Sequence, residues 1–268
     1  MKHKIVFFDM DGTLYQTEND IIQESTLDTI DTLKEKGYIV CAATGRPLHL
    51  LTQIIEKGIS FDYYVLINGG YILDKDFKEV AAYPIPIEQV EDLIELSTEK
   101  EFGLGFHFGD CSYIYNKFYP MYDFMKYTNS LHGLWYDPSH SYHRRHRVFN
   151  CLITTKDKKT VDDFIEKHPE LKADLINVKT DGFFFDVFNN YVNKALGIQA
   201  ILDKEGISWQ ETICFGDSTN DIEMLEKAGI GVAMGSATDY VKSFANFSTT
   251  SVYEDGIANA FKKIFSEE

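Results

Sequence analysis

The sequence predicts an α/β protein: a doubly wound, mainly parallel sheet with an inserted α+β cap domain. Three observations point to it. Short apolar runs alternate with stretches of helical spacing, polar motifs stand at the ends of those runs, and the alternation breaks off near Tyr83 and resumes after Phe188. Strand, helix, strand in this order is the pattern of a parallel sheet with helices on both faces.

The runs read as buried parallel strands are Ile5 to Phe8, Tyr38 to Ala43, Tyr63 to Ile67, Thr212 to Phe215 and Ile230 to Ala233. Between the first two, Leu27, Ile30 and Leu33 keep helical spacing until Gly37 supplies a stop. Leu51, Ile54 and Ile55 repeat the pattern before Gly58, as do Ile222, Leu225 and Ala228 before Gly229. From Tyr83 to Phe188 the character changes: Pro84 and Pro86 punctuate the chain, and shorter aromatic-rich strands follow at Gly103 to Phe108 and Ser112 to Tyr115. Helical stretches at Ile87 to Glu99 and Thr160 to Lys167 accompany them, so an antiparallel sheet with helices is expected there. The boundaries that follow are 1–82 and 189–268 for the core and 83–188 for the cap. Leu14 to Ile22 is longer and more polar than a usual βα loop and is read as a mobile element over the site, against a plain solvated loop.

With 268 residues the chain is long enough for one large α/β domain or for a core domain with a smaller second one. No stretch reaches the roughly 18 consecutive apolar residues of a membrane helix. Met-Lys-His-Lys runs straight into strand-like sequence without a signal-peptide pattern, so a soluble cytoplasmic protein is expected. Cys41, Cys111, Cys151 and Cys214 form no Cys-x-x-Cys pair, which argues against zinc and a disulfide framework. A formal charge of −16 works against nucleic acid and anionic membranes as partners. An anionic small molecule remains a fitting partner where positive charge is focused locally, and nothing in the sequence calls for an obligate protein partner.

In open α/β sheets, ligands bind outside the carboxyl ends of the strands. The informative polar residues fall there. Asp9 and Asp11 follow the first strand, Thr44-Gly45-Arg46 the second, Asn68-Gly69-Gly70 the third and Gly216-Asp217-Ser218-Thr219-Asn220-Asp221 the fourth. Two carboxylates one residue apart at a buried edge repel each other and lose hydration, so a cation or a reaction is needed to hold them, and phosphoryl chemistry on Asp9 is the expected use. An EF-hand calcium loop over Asp9 to Asp20 is the competing reading, but Gly12 falls at the wrong place and a strand, not a helix, precedes it.

Asp-x-Asp-Gly-Thr at one strand end, Thr-Gly at the next, Lys194 later and Gly-Asp-x-x-Asn-Asp together resemble the haloacid dehalogenase superfamily of phosphotransferases. An insertion between the third strand and the lysine resembles the Cof-type subgroup, and the similarity covers essentially the whole chain. Met234-Gly235 and Glu254-Asp255-Gly256-Ile257 match as well. Two departures stand out: Val192-Asn193-Lys194-Ala195-Leu196 where the family more often shows Ser-Lys-Gly, and Ser236 after Met-Gly in place of the more usual Asn. The resemblance implies a Rossmann-like core, a Mg2+ ion, and a sugar phosphate, nucleotide or phosphorylated cofactor as substrate.

Asp9 is the expected nucleophile, forming an aspartyl-phosphate that divides one difficult hydrolysis into two easier steps. Asp11, two residues on, would be general acid toward the leaving oxygen and then general base toward water. By resemblance, Asp9 and Asp217 are carboxylate ligands of Mg2+, Asp11 a carbonyl ligand, and Asp221 lies one step out, orienting water or Lys194. Asn220 and Ser218 help shape the turn, with Asn220 also near the phosphate. Thr44 offers a hydroxyl and, with Gly45, backbone N–H groups to phosphate oxygens; the Met10 N–H can do the same, and Lys194 adds compact positive charge.

Each residue has an ordinary alternative: Thr44 as a helix N-cap, Lys194 as a solvated lysine, Asp11 as a turn former, Arg46 as a surface ion pair rather than a substrate contact. The cluster His140, His143, Arg144, Arg145, His146 and Arg147 is a candidate anion or metal site whose ordinary reading is a solvated strand edge or turn. Phe106, Phe108, Tyr113 and Tyr115 read first as sheet packing, while His107 and Asp181 are candidates to face the cleft. A phosphatase is the first reading, a sugar phosphomutase the second, and a non-catalytic phosphoacceptor or ligand-binding regulator the third.

Overall fold

The computed structural model describes residues 3–127, 130–176 and 182–267. The chain runs through β1 (Ile5–Phe8), α1 (Glu24–Glu35), β2 (Ile39–Ala43), α2 (Leu48–Ile55), β3 (Tyr63–Leu66), β4 (Tyr71–Asp74) and β5 (Glu79–Ala82). It continues with α3 (Ile87–Lys100), β6 (Gly103–His107), β7 (Ser112–Asn116), α4 (Phe118–Tyr127), β8 (Leu134–Tyr136), β9 (Asn150–Thr155), α5 (Lys158–Lys167), β10 (Leu171–Ile176) and β11 (Phe183–Asn189). It ends with α6 (Lys194–Glu205), β12 (Thr212–Gly216), α7 (Ile222–Lys227), β13 (Ile230–Ala233), α8 (Asp239–Lys242), β14 (Phe247–Ser248) and α9 (Gly256–Glu267). These elements form two units, one from Met1–Gly45, Gln53–Ala82 and Asn193–Glu268, the other from Arg46–Thr52 and Tyr83–Val192.

The first unit is the doubly wound α/β sheet that the sequence predicts. Its strand order is β14-β13-β12-β1-β2-β3-β4-β5, parallel from β14 through β3, with β4 and β5 added antiparallel. The chain winds outward from β1 through β2 and β3, then returns on the other side of β1 through β12 and β13, so the switch in winding direction falls at β1. In such sheets this is where the crevice for a ligand opens. All four β1 side chains are fully buried, as a central parallel strand requires. Behind the strand ends Phe8 stacks on Phe215 with ring centroids 5.1 Å apart, and Phe261 of α9 packs 5.3 Å from Phe215. Burying each such ring stabilises the fold by about 1.5–3 kcal/mol and fixes the two strands that carry Asp9 and Asp217.

The segment after β1 is a folded turn. The Met10 carbonyl accepts the N–H groups of Thr13, Leu14 and Tyr15, bridges join Asp11 to Tyr15 and Gln16 to Ile21, and the buried Gln16 amide donates to the Val252 carbonyl at 3.1 Å. Tyr15 is buried and bonds Asp20 through its hydroxyl.

The second unit carries a six-stranded sheet of order β10-β11-β9-β6-β7-β8. It is antiparallel as expected except for β7 and β8, which pair in parallel. Side chains alternate across it. Leu104, Phe106, Cys151, Ile153, Phe185 and Val187 face α3 and α5, while Ile114, Leu152 and Phe184 face α4. Helix α4 has no counterpart among the sequence expectations. Its Pro120 sits in the first turn, where no intrahelical N–H bond is lost. Among the described residues, no helix is long and apolar enough to cross a membrane.

Candidate active site

The end of β1 delivers Asp9, whose backbone N–H still bonds the Phe215 carbonyl at 3.0 Å. The neighbouring β12 ends at Gly216 and delivers Asp217; a Cβ on Gly216 would lie 2.5 Å from that of Asp221, so only glycine lets the next turn fold back tightly. Carboxylate oxygens of Asp9, Asp217 and Asp221 all lie within 4.8 Å of one another. Lys194, fully buried at the start of α6, places its Nζ 2.5 Å from Asp9 Oδ1 and 2.6 Å from Asp221 Oδ1.

Two glycines bring Lys194 there. A Cβ on Gly69 would meet the Asn193 carbonyl oxygen at 2.1 Å, and one on Gly197 would meet Val65 Cγ1 at 2.5 Å. The first turn of α6 therefore sits directly against the end of β3. Asn193 caps it, its Oδ1 accepting the Leu196 N–H at 2.9 Å, so the departure from Ser-Lys-Gly keeps a capping side chain before the lysine.

The electrostatics follow from burial. Asp9 is held well above the ordinary carboxylate range by loss of solvent and by Asp221, against the opposing pull of Lys194. Burial and Asp221 push Asp217 up to about 6. Burial alone would lower Lys194, but Asp221 and Asp9 outweigh it and hold the ammonium above its usual range. Three carboxylates and one ammonium leave two negative charges uncompensated when all are ionised, which is the charge a divalent cation would balance. The donors are hard oxygens, as such a cation prefers.

Asp221 has its oxygens committed elsewhere: Oδ1 to Lys194, and Oδ2 to the N–H groups of Asp217 and Ser218, each at 2.9 Å. It holds the lysine and the turn. Asp217 Oδ1 accepts from the Thr13 hydroxyl at 3.0 Å, and Gly12 with φ +82° leaves room for the Asp217 carboxylate, which a Cβ there would approach to 2.7 Å. The Asp11 carboxylate lies outside the cluster and accepts from the Thr17 hydroxyl at 2.7 Å.

Of the predicted phosphate donors, Thr44 is buried and its backbone N–H is committed to the Val65 carbonyl at 2.8 Å, against the expectation that this N–H serves a phosphate oxygen; Gly45 follows it in the chain. The turn after β1 leaves the Met10 N–H out of its own hydrogen bonds. Asn220 donates to Asn68 Oδ1 at 2.9 Å, and that oxygen lies 3.2 Å from where a Gly45 Cβ would stand. Asn68 and Ile67 adopt φ of 52° and 50°. Such a backbone is uncommon outside glycine, and strained for a β-branched residue, so the end of β3 is a locally forced turn beside the cluster.

Arg46 groups with the second unit, its Nη1 3.5 Å from the Leu50 carbonyl. His107 is buried there as well: its Nδ1 lies 2.6 Å from Ser112 Oγ, itself 2.9 Å from His49 Nε2. Phe106, Phe108 and Tyr115 are buried in the sheet-helix core with Tyr113 packed against it, and Asp181 lies outside the described residues. Sequence reasoning missed Thr17, Asn68 as the partner of Asn220, and the Gly69–Gly197 approach. The glycines after the apolar runs are visible in the sequence, but no spacing signals that Thr17 returns to Asp11.

A family model for haloacid dehalogenase-like hydrolases matches residues 6–261. A Bacillus subtilis (strain 168) 5-amino-6-(5-phospho-D-ribitylamino)uracil phosphatase is 30% identical over 279 residues, covering 99% of this chain and 98% of its own. The Escherichia coli (strain K12) pyridoxal phosphate phosphatase is 26% identical over 270 residues, covering 96% and 97%. Among solved structures, a sugar phosphatase of haloacid dehalogenase subclass IIB superposes with a TM-score of 0.82 at 26% identity, covering 97% of this chain and 98% of that one. With the family matched over nearly its whole length, the chain belongs to the haloacid dehalogenase-like hydrolases of the Cof type and is a hydrolase of phosphoric monoesters.

Proposed function

We propose that this phosphatase hydrolyses a small phosphomonoester through an aspartyl-phosphate on Asp9, with Mg2+ as its cation. The observation that carries the reading is the fully buried Lys194 joining Asp9 to Asp221 beside Asp217. A surface lysine needs no such setting; a reacting carboxylate that must approach an anionic phosphate does. Phosphatases of this family generally use a divalent metal, and the charge deficit of the cluster fits one. Asp9, Asp217 and the Asp11 carbonyl would hold Mg2+, which supplies charge to the phosphoryl oxygens when bound.

In the first half-reaction an Asp9 carboxylate oxygen bonds to phosphorus while the ester oxygen departs and takes a proton from Asp11. In the second, Asp11 takes a proton from water as that water bonds to phosphorus; inorganic phosphate leaves and the Asp9 carboxylate is restored. Thr17 steadies Asp11 through its hydroxyl. Lys194, the Thr44 hydroxyl, and the Gly45 and Met10 N–H groups serve the phosphoryl oxygens, with Asn220 held toward them by Asn68. Asp221 keeps Lys194 in place.

Residues 1–82 and 189–268 serve as the catalytic core and 83–188 as the cap in this reading, with Arg46 in contact with substrate. Sugar phosphates, nucleotides and phosphorylated cofactors are the substrate class, in keeping with the ribityl and pyridoxal phosphates named for relatives. The four buried free cysteines suit a cytoplasmic setting. A phosphate-release screen over such metabolites, with and without Mg2+, tests the proposal on wild-type protein and Asp9→Asn. Release that depends on Mg2+ and vanishes in the variant is expected; equal turnover by Asp9→Asn would overturn it.

A further inference from the structure

The sheet of the second unit has two edges, and they differ. β8 is three residues long, which leaves little backbone for another chain to pair with. β10 runs for six residues and is bonded on one side to β11; among the described residues no strand lies beyond it. The direction of its backbone groups follows from the register. The Glu170 carbonyl accepts the Asn190 N–H at 2.8 Å, so Glu170 and every second residue after it turn N–H and C=O toward β11. Leu171, Ala173 and Leu175 therefore point theirs outward. The Leu171 N–H turns back to the His168 carbonyl at 2.9 Å. Its carbonyl, and both groups of Ala173 and of Leu175, take no hydrogen bond among the described residues.

The side chains of this bare edge complement themselves about Ala173. Leu171, Lys172, Ala173, Asp174 and Leu175 run apolar, positive, small, negative, apolar. When a second copy lies antiparallel with Ala173 opposite Ala173, each Lys172 faces an Asp174 on one side of the sheet. On the other side, that of α3 and α5, each Leu171 meets a Leu175. Ala173 then exchanges N–H and C=O bonds with its own copy, and each Leu175 N–H donates to the Leu171 carbonyl opposite. Other registers fail. A slip of one residue sets outward backbone groups against inward ones, and a slip of two sets Lys172 against Lys172 or Asp174 against Asp174.

The edge also lacks a cation where this pairing would bring one. Asp174 stands directly opposite Asp186 of β11, and like charges facing each other across strands are unfavourable. Loss of solvent, with a smaller push from Asp174, raises the Asp186 carboxyl to about 7 against the hydrogen bond from Asn150. Lys172 of the same chain does not answer this, its ammonium resting over the Phe188 ring at 4.6 Å from the centroid. Leu175 is 46% exposed beside the open backbone. Charges of one sign would guard such an edge by repelling a copy; opposite signs on either side of a small residue attract one.

We propose that β10 is a self-association edge: two copies of this chain pair antiparallel through residues 171–175 about a two-fold axis at Ala173, joining their sheets into one. None of these residues belongs to the cluster around Asp9, so the inference does not rest on the phosphatase mechanism.

The test is sedimentation velocity of the full chain from about 1 µM to about 500 µM, where a reversible monomer–dimer equilibrium is expected. Lys172→Asp alone and Asp174→Lys alone each set like charges opposite one another, and each should raise the dissociation constant about tenfold or more. An equimolar mixture of the two variants should dimerise again, because each chain then offers two charges of one sign to two of the other. Ala173→Pro removes an outward N–H that the sheet itself does not use and should weaken the dimer as well. Circular dichroism and turnover of p-nitrophenyl phosphate should match wild type in all three. Should a charge variant fail to fold, Ala173→Pro decides alone. A chain that stays monomeric over the whole range would overturn the proposal. So would a dimer that the single variants leave intact, or one that the mixture of charge variants fails to restore.

Discussion

Lys194 Nζ lies 2.5 Å from Asp9 Oδ1 although 185 positions separate the two residues, and both side chains are buried. The pair exists because β1 and α6 arrive at the same strand ends from opposite parts of the chain, and because Gly69 and Gly197 let α6 start there. Since Asp221 shares the ammonium at 2.6 Å, the lysine is the only positive charge within the described cluster.

Lys194→Met should therefore damage both stability and turnover. It leaves buried carboxylates without their counter-charge, a change that typically costs about 3–5 kcal/mol. Turnover should fall about 10²–10³-fold through lost charge stabilisation. Urea unfolding in EDTA and steady-state kinetics at saturating Mg2+ check the two effects. Stability equal to wild type would mean that the ammonium does not hold the carboxylates together.

Asp9→Asn should do the opposite to stability. Burial, Asp221 and Asp217 together push Asp9 above its ordinary range, so its ionised form opposes folding, and the neutral amide relieves that while its oxygen still accepts from Lys194. The sign is that of any carboxyl raised in the folded state: its stabilising contribution is complete below the unfolded pKa and is lost as pH rises through the folded one. At pH 8 in EDTA the variant should melt higher than wild type while lacking turnover. Adding Mg2+ should raise the melting temperature of wild type more than that of the variant, because a cation that binds only the folded state stabilises by mass action. A variant that melts lower in EDTA would contradict the account of the raised carboxyl.

Thr17→Val tests the placement of Asp11. The Thr17 hydroxyl donates to Asp11 Oδ1 at 2.7 Å, and valine keeps the shape while deleting the donor. If Asp11 moves protons, its misplacement should lower kcat about tenfold, more for poor leaving groups than for p-nitrophenyl phosphate, with KM little changed. An equal loss for good and poor leaving groups would separate Thr17 from proton transfer.

The strand ends were legible because buried parallel strands are apolar throughout and stop where polar residues begin, as Phe8-Asp9 and Phe215-Gly216-Asp217 do. The doubly wound class and the Cof-type relationship follow from that arrangement and are borne out by the sheet and the family match. What sequence hides is reach across the chain. Thr17 returning to Asp11, Asn68 bonding Asn220 and the commitment of the Thr44 N–H to Val65 depend on backbone paths, not on residue periodicity. Helix α4 escaped for a local reason: its aromatic residues have weak helix propensity, and the helix is held by Met121, Phe124 and Met125 packing on the sheet face.

Acid should loosen the second unit through its buried histidines. Burial lowers His107 to about 3 and, with a smaller push from His132, His49 to about 4, so both rings are neutral in the fold. For a base lowered in this way, stability is complete above the unfolded value near 6.5 and is lost as pH falls toward the folded value. Between pH 7.5 and 5, His107 alone should remove on the order of 2 kcal/mol, because the unfolded chain takes up a proton that the folded one refuses. Hydrogen exchange of β6 and β7 amides at the two pH values reads this locally, where Ser112 Oγ links the two rings at 2.6 and 2.9 Å. His49→Gln with His107→Gln should flatten the pH dependence while keeping groups that can bond Ser112. A double variant that loses protection as steeply as wild type would place the acid sensitivity elsewhere.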